Sequence, residues 1–182
     1  MLEIVKKARS YRRFQQRPID MDVLEELVEM ARFSPSGANS QPLRYVICND
    51  EDVKARLFPC IAWAGALKDW DGPVEGEKPM AYIMIVSEKQ GGINTGIAAQ
   101  TIVLGAMSKG IGACMIGALS REQAAEAVNL DSRYNVELLI ALGYPGERVV
   151  VDDVKEGDSL KYYRDDKDVH HVPKIVLDDM IV

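Results

Sequence analysis

Residues 91–117, GGINTGIAAQTIVLGAMSKGIGACMIG, decide how the rest of the chain is read. Over residues 95–109 the side chains of Ile97, Ala98, Ala99, Ile102, Val103, Leu104, Ala106 and Met107 leave no wide polar face. The spacing therefore predicts a core helix enclosed on nearly all sides. Gln100, Thr101, Ser108 and Lys109 interrupt the run, which falls short of the roughly 18 uninterrupted apolar residues of a membrane span. Gly110 is placed to end the helix in a left-handed conformation. Residues 112–116 then form a short buried strand that leaves its sheet at Ile116-Gly117. Strand ends with free backbone N–H groups are where α/β layers usually place ligands.

A chain of 182 residues with 47% hydrophobic composition can bury a sizeable core, and a single domain over residues 1–182 is expected. The net charge of -6 argues against a nucleic-acid partner, since phosphate neutralisation needs a basic surplus. Cys48, Cys60 and Cys114 are odd in number and form no C-x-x-C pair, a pattern that suits free thiols in a reducing compartment. The start, MLEIVKKARS, has no apolar run of signal-peptide length. A cytoplasmic location without a membrane partner is expected.

Within this acidic chain the first seventeen residues are basic: Lys6, Lys7, Arg9, Arg12, Arg13 and Arg17 stand against Glu3. A solvated surface is one reading of such a run. The spacing Arg9-Ser10-x-Arg12 supports another, because two guanidiniums and a hydroxyl at these offsets can converge on a phosphate. After Pro18, Leu24, Leu27, Val28 and Ala31 make one face of an amphipathic helix, with a capping-box spacing at Asp22 and Glu25. Ser34-Pro35-Ser36-Gly37 must stop it. Ala38-Asn39-Ser40-Gln41-Pro42 continues as irregular backbone able to approach a ligand closely. An ordinary turn would explain Pro35 and Gly37 but gives Asn39 and Gln41 no role.

Residues 44–48 read as a strand, 50–58 as a helix, 80–86 as a strand covered on both faces, and 136–142 as another strand closed by Gly143. Ser120 with Gln123 has capping-box spacing before a helix over residues 121–129. Residues 61–67 have helical character inside an irregular, lid-like segment, 59–79. The acid pairs Asp152-Asp153, Asp165-Asp166 and Asp178-Asp179 read as solvated turns and not as a metal site. The apolar tail, residues 172–182, has no evident place in its own sheet. Left exposed it would be a large apolar patch, so pairing with a second copy is expected.

Several chemistries lack their residues. No nucleophile elbow and no phosphate loop of the G-x-x-x-x-G-K-[ST] kind is present, and Gly110-x-Gly112 lacks the third glycine of a dinucleotide fold. The only histidines, His170 and His171, are adjacent. In an extended chain they point to opposite faces, a poor arrangement for a metal pair. Redox work would fall to a bound cofactor.

Arg9-Ser10-x-Arg12, the loop Pro35-Ser36-Gly37-Ala38-Asn39-Ser40-Gln41-Pro42, the glycine-rich strand ending at Ile116-Gly117, and the late Pro173-Lys174 occur in an order that resembles the FMN-dependent nitroreductase family along almost the whole chain. The resemblance implies an α+β fold, a mixed central sheet surrounded by helices. It also implies an intertwined homodimer, with the C-terminal extension lying on the partner and two FMN sites at the interface.

By the same resemblance, Arg9, Ser10 and Arg12 are phosphate and ribityl ligands, and Lys174 is a second cation near the phosphate. Pro35, Ser36, Gly37 and Asn39 match the loop that reaches the flavin from the other chain, and Ile116 and Gly117 match a backbone contact near flavin N5. The implied activity is ping-pong transfer from NAD(P)H through FMN to nitroaromatic, quinone or similar acceptors, without a metal. A narrow-specificity flavin enzyme and a non-catalytic FMN-binding redox sensor are the alternatives. Ala8 stands where many members have a further arginine, Leu43 where a tryptophan is common, and Val176 where some carry a second phosphate-binding cation. These departures imply a looser hold on FMN.

Overall fold

The computed structural model describes residues 1–67 and 70–182. Its main sheet has the order β2 (Leu43–Cys48), β3 (Ala81–Ser87), β5 (Asn135–Pro145) and β4 (Gly112–Ile116), with β1 (Phe14–Gln15) on the last two residues of β5. All of these pairings are antiparallel. The parallel component of the expected mixed sheet is reduced here to one bridge, Ser10 to Ala113.

Every residue of β3 is buried, as its continuous apolar run predicts. Because side chains alternate along a strand, Ile83 and Ile85 join one core cluster while Tyr82, Met84 and Val86 join the other. The first cluster takes in Ala8, just past α1 (Leu2–Lys7), and is closed by α2 (Met21–Arg32), through Leu24, Leu27 and Ala31, and by α4 (Ile93–Ser108), through Ala98, Ala99 and Ile102. The second is closed by α3 (Glu51–Leu57) and α5 (Arg121–Ala127), through Leu57, Ala124 and Ala127, together with Phe14.

The deciding stretch folds as a helix, a left-handed Gly110 (φ 74°) and a strand over Gly112–Ile116. Two details differ from expectation. The helix begins at Ile93, two residues early, after Gly92 at its N-terminus. In one chain it also keeps an open stripe, with Ile93, Gly96 and Gln100 exposed and Ile97, Leu104 and Met107 half-buried. The helix is therefore not enclosed on all sides by its own chain.

Elsewhere, Asp20 and not Asp22 stands at the N-terminus of α2, and neither Asp20 nor Ser120 uses its side chain as a cap. Asp50 does, accepting from the Val53 N–H at 3.1 Å. Residues 61–67 are not helical; Ile61 bridges Leu119 instead. Residues 68 and 69 of the lid-like segment lie outside the described residues. Strand β5 continues past Gly143 because that glycine is a crossing point and not a turn. A Cβ there would meet the Phe14 ring at 2.6 Å, closer than packed atoms come.

A second, three-stranded sheet has the order β6 (Val149–Val154), β8 (His170–Ile175) and β7 (Tyr163–Arg164), with β6 and β8 parallel. It corrects two expectations. Asp152 and Asp153 lie in a strand and not in a turn. The extended part of the tail has a place in its own chain, in register from Val149 opposite His170 to Val154 opposite Ile175. Beyond Ile175, only the short turn Leu177–Asp179 and the last residues remain, with Leu177, Met180, Ile181 and Val182 exposed.

Candidate active site

Residues 9–12 run beside the start of β4. Ser10 bridges Ala113, and the Tyr11 N–H donates to the Ala113 carbonyl at 3.0 Å. Ile116 and Gly117 end the same strand three to four residues further on, roughly 10–13 Å at 3.3 Å per residue. The Arg9 Nη2 group donates to the Val5 carbonyl at 2.6 Å, while its buried Nε has no partner among the described residues. Nη1 of Arg12 donates to the Ser10 carbonyl at 3.2 Å.

Among the described residues neither arginine makes an ion pair. Their neighbour Arg13, by contrast, pairs with Glu77 and Asp168. Two uncompensated guanidiniums and a hydroxyl at one strand's end suit a phosphate, and the donor left over on Arg9 is what such an anion would satisfy.

The backbone of this segment is fixed by Glu147, whose side chain is almost fully buried. Its Oε1 accepts from the N–H groups of Arg12 at 2.5 Å and Arg13 at 3.1 Å, and its Oε2 accepts from Arg164 at 2.5 Å. From the small sheet, His170 Nε2 lies 3.3 Å from Arg12 Nη1, and the Tyr162 ring lies 4.8 Å from the guanidinium carbon. Burial, and then the Arg12 charge, push His170 down to about 4, so it is neutral at pH 7. His171 faces the other way, between Asp152 at 2.8 Å and Asp165 at 3.4 Å. Its hydrogen bond with Asp152 raises its pKa.

The loop over residues 34–42 is held by α4. Asn94 Oδ1 accepts from the Gly37 N–H at 3.0 Å and the Ser36 hydroxyl at 3.3 Å, and Ser34 donates to Thr101 at 2.8 Å. The Gln41 side chain donates to Asn39 at 3.0 Å. Ala38, Asn39 and Gln41 all have left-handed backbone, φ 49°, 51° and 44°, a conformation that three non-glycine residues adopt only when neighbours enforce it. Behind the loop lies a cleft of about 400 Å³ walled by Val28, Ala31, Pro35, Pro42, Tyr45 and Ala98.

The expected site residues thus fall into two groups. Arg9, Ser10 and Arg12 run alongside the strand that Ile116 and Gly117 end, beyond the C-terminal end of α4, and the loop that carries Pro35, Ser36, Gly37 and Asn39 is tied to the first turn of that helix. Sixteen residues of helix separate the groups, roughly 24 Å at 1.5 Å per residue. Lys174 joins neither group: it is exposed on β8, opposite Asp153 and four residues beyond His170.

Asn94, Glu147, Tyr162 and His170 complete the arrangement and are not among the expected site residues; His170 stands out in the sequence only as half of an unsuitable metal pair. For Asn94 the signal was weak, a polar residue in the opening turn of an otherwise apolar helix, one position after Ile93. For Glu147 and Tyr162 there was none, since their role depends on contacts more than a hundred residues away.

The thiols offer no alternative chemistry. Burial raises Cys48 to about 12 and also raises Cys60 and Cys114, the last despite Arg12 nearby. A scarce thiolate is a poor nucleophile.

Comparison with known proteins bears on the same residues. A family model described as the nitroreductase family matches residues 5–80 and 86–144. A Methanothermobacter thermautotrophicus protein provisionally named NADH dehydrogenase/NAD(P)H nitroreductase is 24% identical, covering 88% of this chain and 85% of its own. The iodotyrosine deiodinase of Thermotoga neapolitana is 25% identical over 81% and 89% of the two chains. The structure of an FMN-dependent nitroreductase from Clostridium difficile R20291 superposes with a TM-score of 0.67 at 22% identity, covering 81% of this chain and 89% of the other.

Proposed function

Because the chain belongs to the nitroreductase family, we propose that it is an FMN-dependent oxidoreductase, one domain over residues 1–182, that takes hydride from NAD(P)H and reduces nitroaromatic, quinone or similar electron-poor acceptors. The observation that carries this reading is the pair of guanidiniums, Arg9 and Arg12, unneutralised among the described residues, flanking Ser10 where it bridges the strand that ends at Ile116-Gly117. FMN, when bound, supplies a hydride-accepting N5 that no side chain of this protein can replace. Arg9, Ser10 and Arg12 hold its phosphate; Lys174, set apart on β8, is not needed for that contact. The backbone at Ile116 and Gly117 contacts the ring near N5.

Pro35, Ser36, Gly37 and Asn39 reach the flavin from a second copy. Support for this comes from the length of α4, which keeps the two groups of residues roughly 24 Å apart in one chain. The open stripe of α4 and the exposed Leu177, Met180 and Ile181 supply apolar surface for a homodimer. Dimerisation and flavin affinity are then linked. No described helix is long and apolar enough to cross a membrane, and the expected location is cytoplasmic.

Donor and acceptor use one open face in turn, so initial rates should give parallel double-reciprocal lines. The test is reconstitution with FMN, followed by NADH and NADPH oxidation with and without menadione. A chain that takes up no flavin, or intersecting lines, would reject the reading. Flavin uptake without NAD(P)H oxidation would mark a redox sensor. The 25% identity to an iodotyrosine deiodinase favours one second reading, a narrow acceptor such as a halogenated aromatic. Halide release from iodotyrosine in the same acceptor panel separates the two.

A further inference from the structure

Three arginines crowd the junction between the main sheet and the small one, and they are treated differently. Arg13 is neutralised by Glu77 and Asp168, and Arg164 by Glu147 and Asp168. Among the described residues the Arg12 guanidinium is held only by neutral groups: the Ser10 carbonyl, the face of Tyr162 and Nε2 of His170. Of the five N–H donors of a guanidinium, those on Nε and Nη2 of Arg12 are left without a partner among the described residues. Its position is fixed while its charge stays available.

His170 carries a cost that packing does not explain. Accepting from Arg12 at Nε2 requires the proton to sit on Nδ1, and that Nδ1 is buried without a hydrogen-bond partner among the described residues. A buried donor without an acceptor destabilises a fold. A phenylalanine of similar shape would fill the same space without that cost. The imidazole is useful here for what its other nitrogen does.

We infer that His170 and Tyr162 are positioning residues that aim the Arg12 guanidinium at a phosphate group without neutralising it. The inference rests on the FMN reading above and extends it to the C-terminal sheet, which becomes a buttress for the phosphate end of the site. The two rings lie 5.3 Å apart, so they brace each other as well as Arg12. Tyr162 also accepts from the Ala66 N–H at 3.3 Å. The same ring therefore touches the lid-like segment, and its two contacts can be separated by substitution.

The decisive measurement is the dissociation constant for FMN and, in parallel, for riboflavin, which lacks the phosphate, together with the thermal midpoint of each full-length variant. Loss of one charge-assisted contact in His170→Phe should weaken FMN about tenfold and leave riboflavin affinity and the thermal midpoint unlowered. His170→Gln, which returns an acceptor oxygen near the Nε2 position, should restore most of the discrimination. Tyr162→Leu should narrow the FMN to riboflavin ratio, and Tyr162→Phe, which keeps the ring and loses only the Ala66 contact, should not. Equal loss of both flavins with a lowered midpoint, or no change in either, would overturn this inference while leaving the flavin reading intact. A wild-type chain that binds neither flavin would overturn both.

Discussion

The two sheets are held together by opposite means. In the main sheet, β3 and β5 exchange almost nothing but apolar side chains, and Ile83, Met84, Leu139 and Ile140 are fully buried. Its stability is spread over many contacts, none of them directional. The small sheet has no comparable core. Val151 is exposed at 40%, and the sheet is tied to the rest by Glu147, Arg164, Asp168 and His170. Stability that rests on a few polar contacts can be removed at a single atom, and it depends on pH.

Replacing Glu147 tests this most severely. Glu147→Ala leaves Arg164 without its buried partner and two backbone N–H groups without an acceptor, a change of the kind that costs roughly 3–5 kcal/mol. Hydrogen exchange should accelerate first at the amides of β6 and β8, with those of β3 following only at global unfolding. Leu139→Ala, at the centre of β5, should cost roughly 2–5 kcal/mol and lower protection throughout the main sheet. If the two variants gave the same exchange pattern, the sheets would be one cooperative unit and the contrast would fail.

Acid comes next. His170 is lowered from 6.5 to about 4. The unfolded chain therefore takes up a proton that the folded chain refuses, and stability present above pH 6.5 is lost as pH falls from 6.5 toward 4. The shift corresponds to about 3 kcal/mol across that window. Urea midpoints of wild type and His170→Phe should converge near neutral pH in their pH dependence and diverge below 6, with the variant the more acid-resistant.

His171 provides the smallest effect and the opposite sign. Its pKa is raised by Asp152, so its contribution is present below about 6.5 and disappears as pH rises through the folded value. His171→Gln should lower the thermal midpoint slightly at pH 5.5 and leave it unchanged at pH 9. Two adjacent residues with opposite pH signatures would confirm that β8 presents one face to Arg12 and the other to Asp152.

Legibility in the sequence follows the same division. The main sheet and its helices were readable because apolar periodicity is a local signal. Residues 112–116 and the left-handed Gly110 match their expected positions. Errors arose where one residue from far along the chain decides the geometry. Gly143 looks like a turn until Phe14 is seen across it. The tail seemed unpartnered because Asp152-Asp153 reads as a turn and masks the strand that Val149, Val150 and Val151 open, its parallel partner β6. Within the site, the spacing Arg9-Ser10-x-Arg12 was visible, whereas Glu147 and His170, which hold that spacing in place, had no local pattern to betray them.

The three buried cysteines give the chain an internal clock. Cys48 ends β2 and Cys114 lies in β4, the strands on opposite margins of the main sheet. Cys60 sits beside the segment that crosses Ser120. None reacts while it stays buried and protonated, so modification by a maleimide under native conditions must wait for the surrounding backbone to open. Labelling rates at the three positions, resolved by mass spectrometry, therefore time the fraying of the two margins and of the connecting segment without any engineered probe. A flavin-loaded sample should label more slowly at Cys114 than at Cys48, because only β4 carries the strand end against which the cofactor would rest.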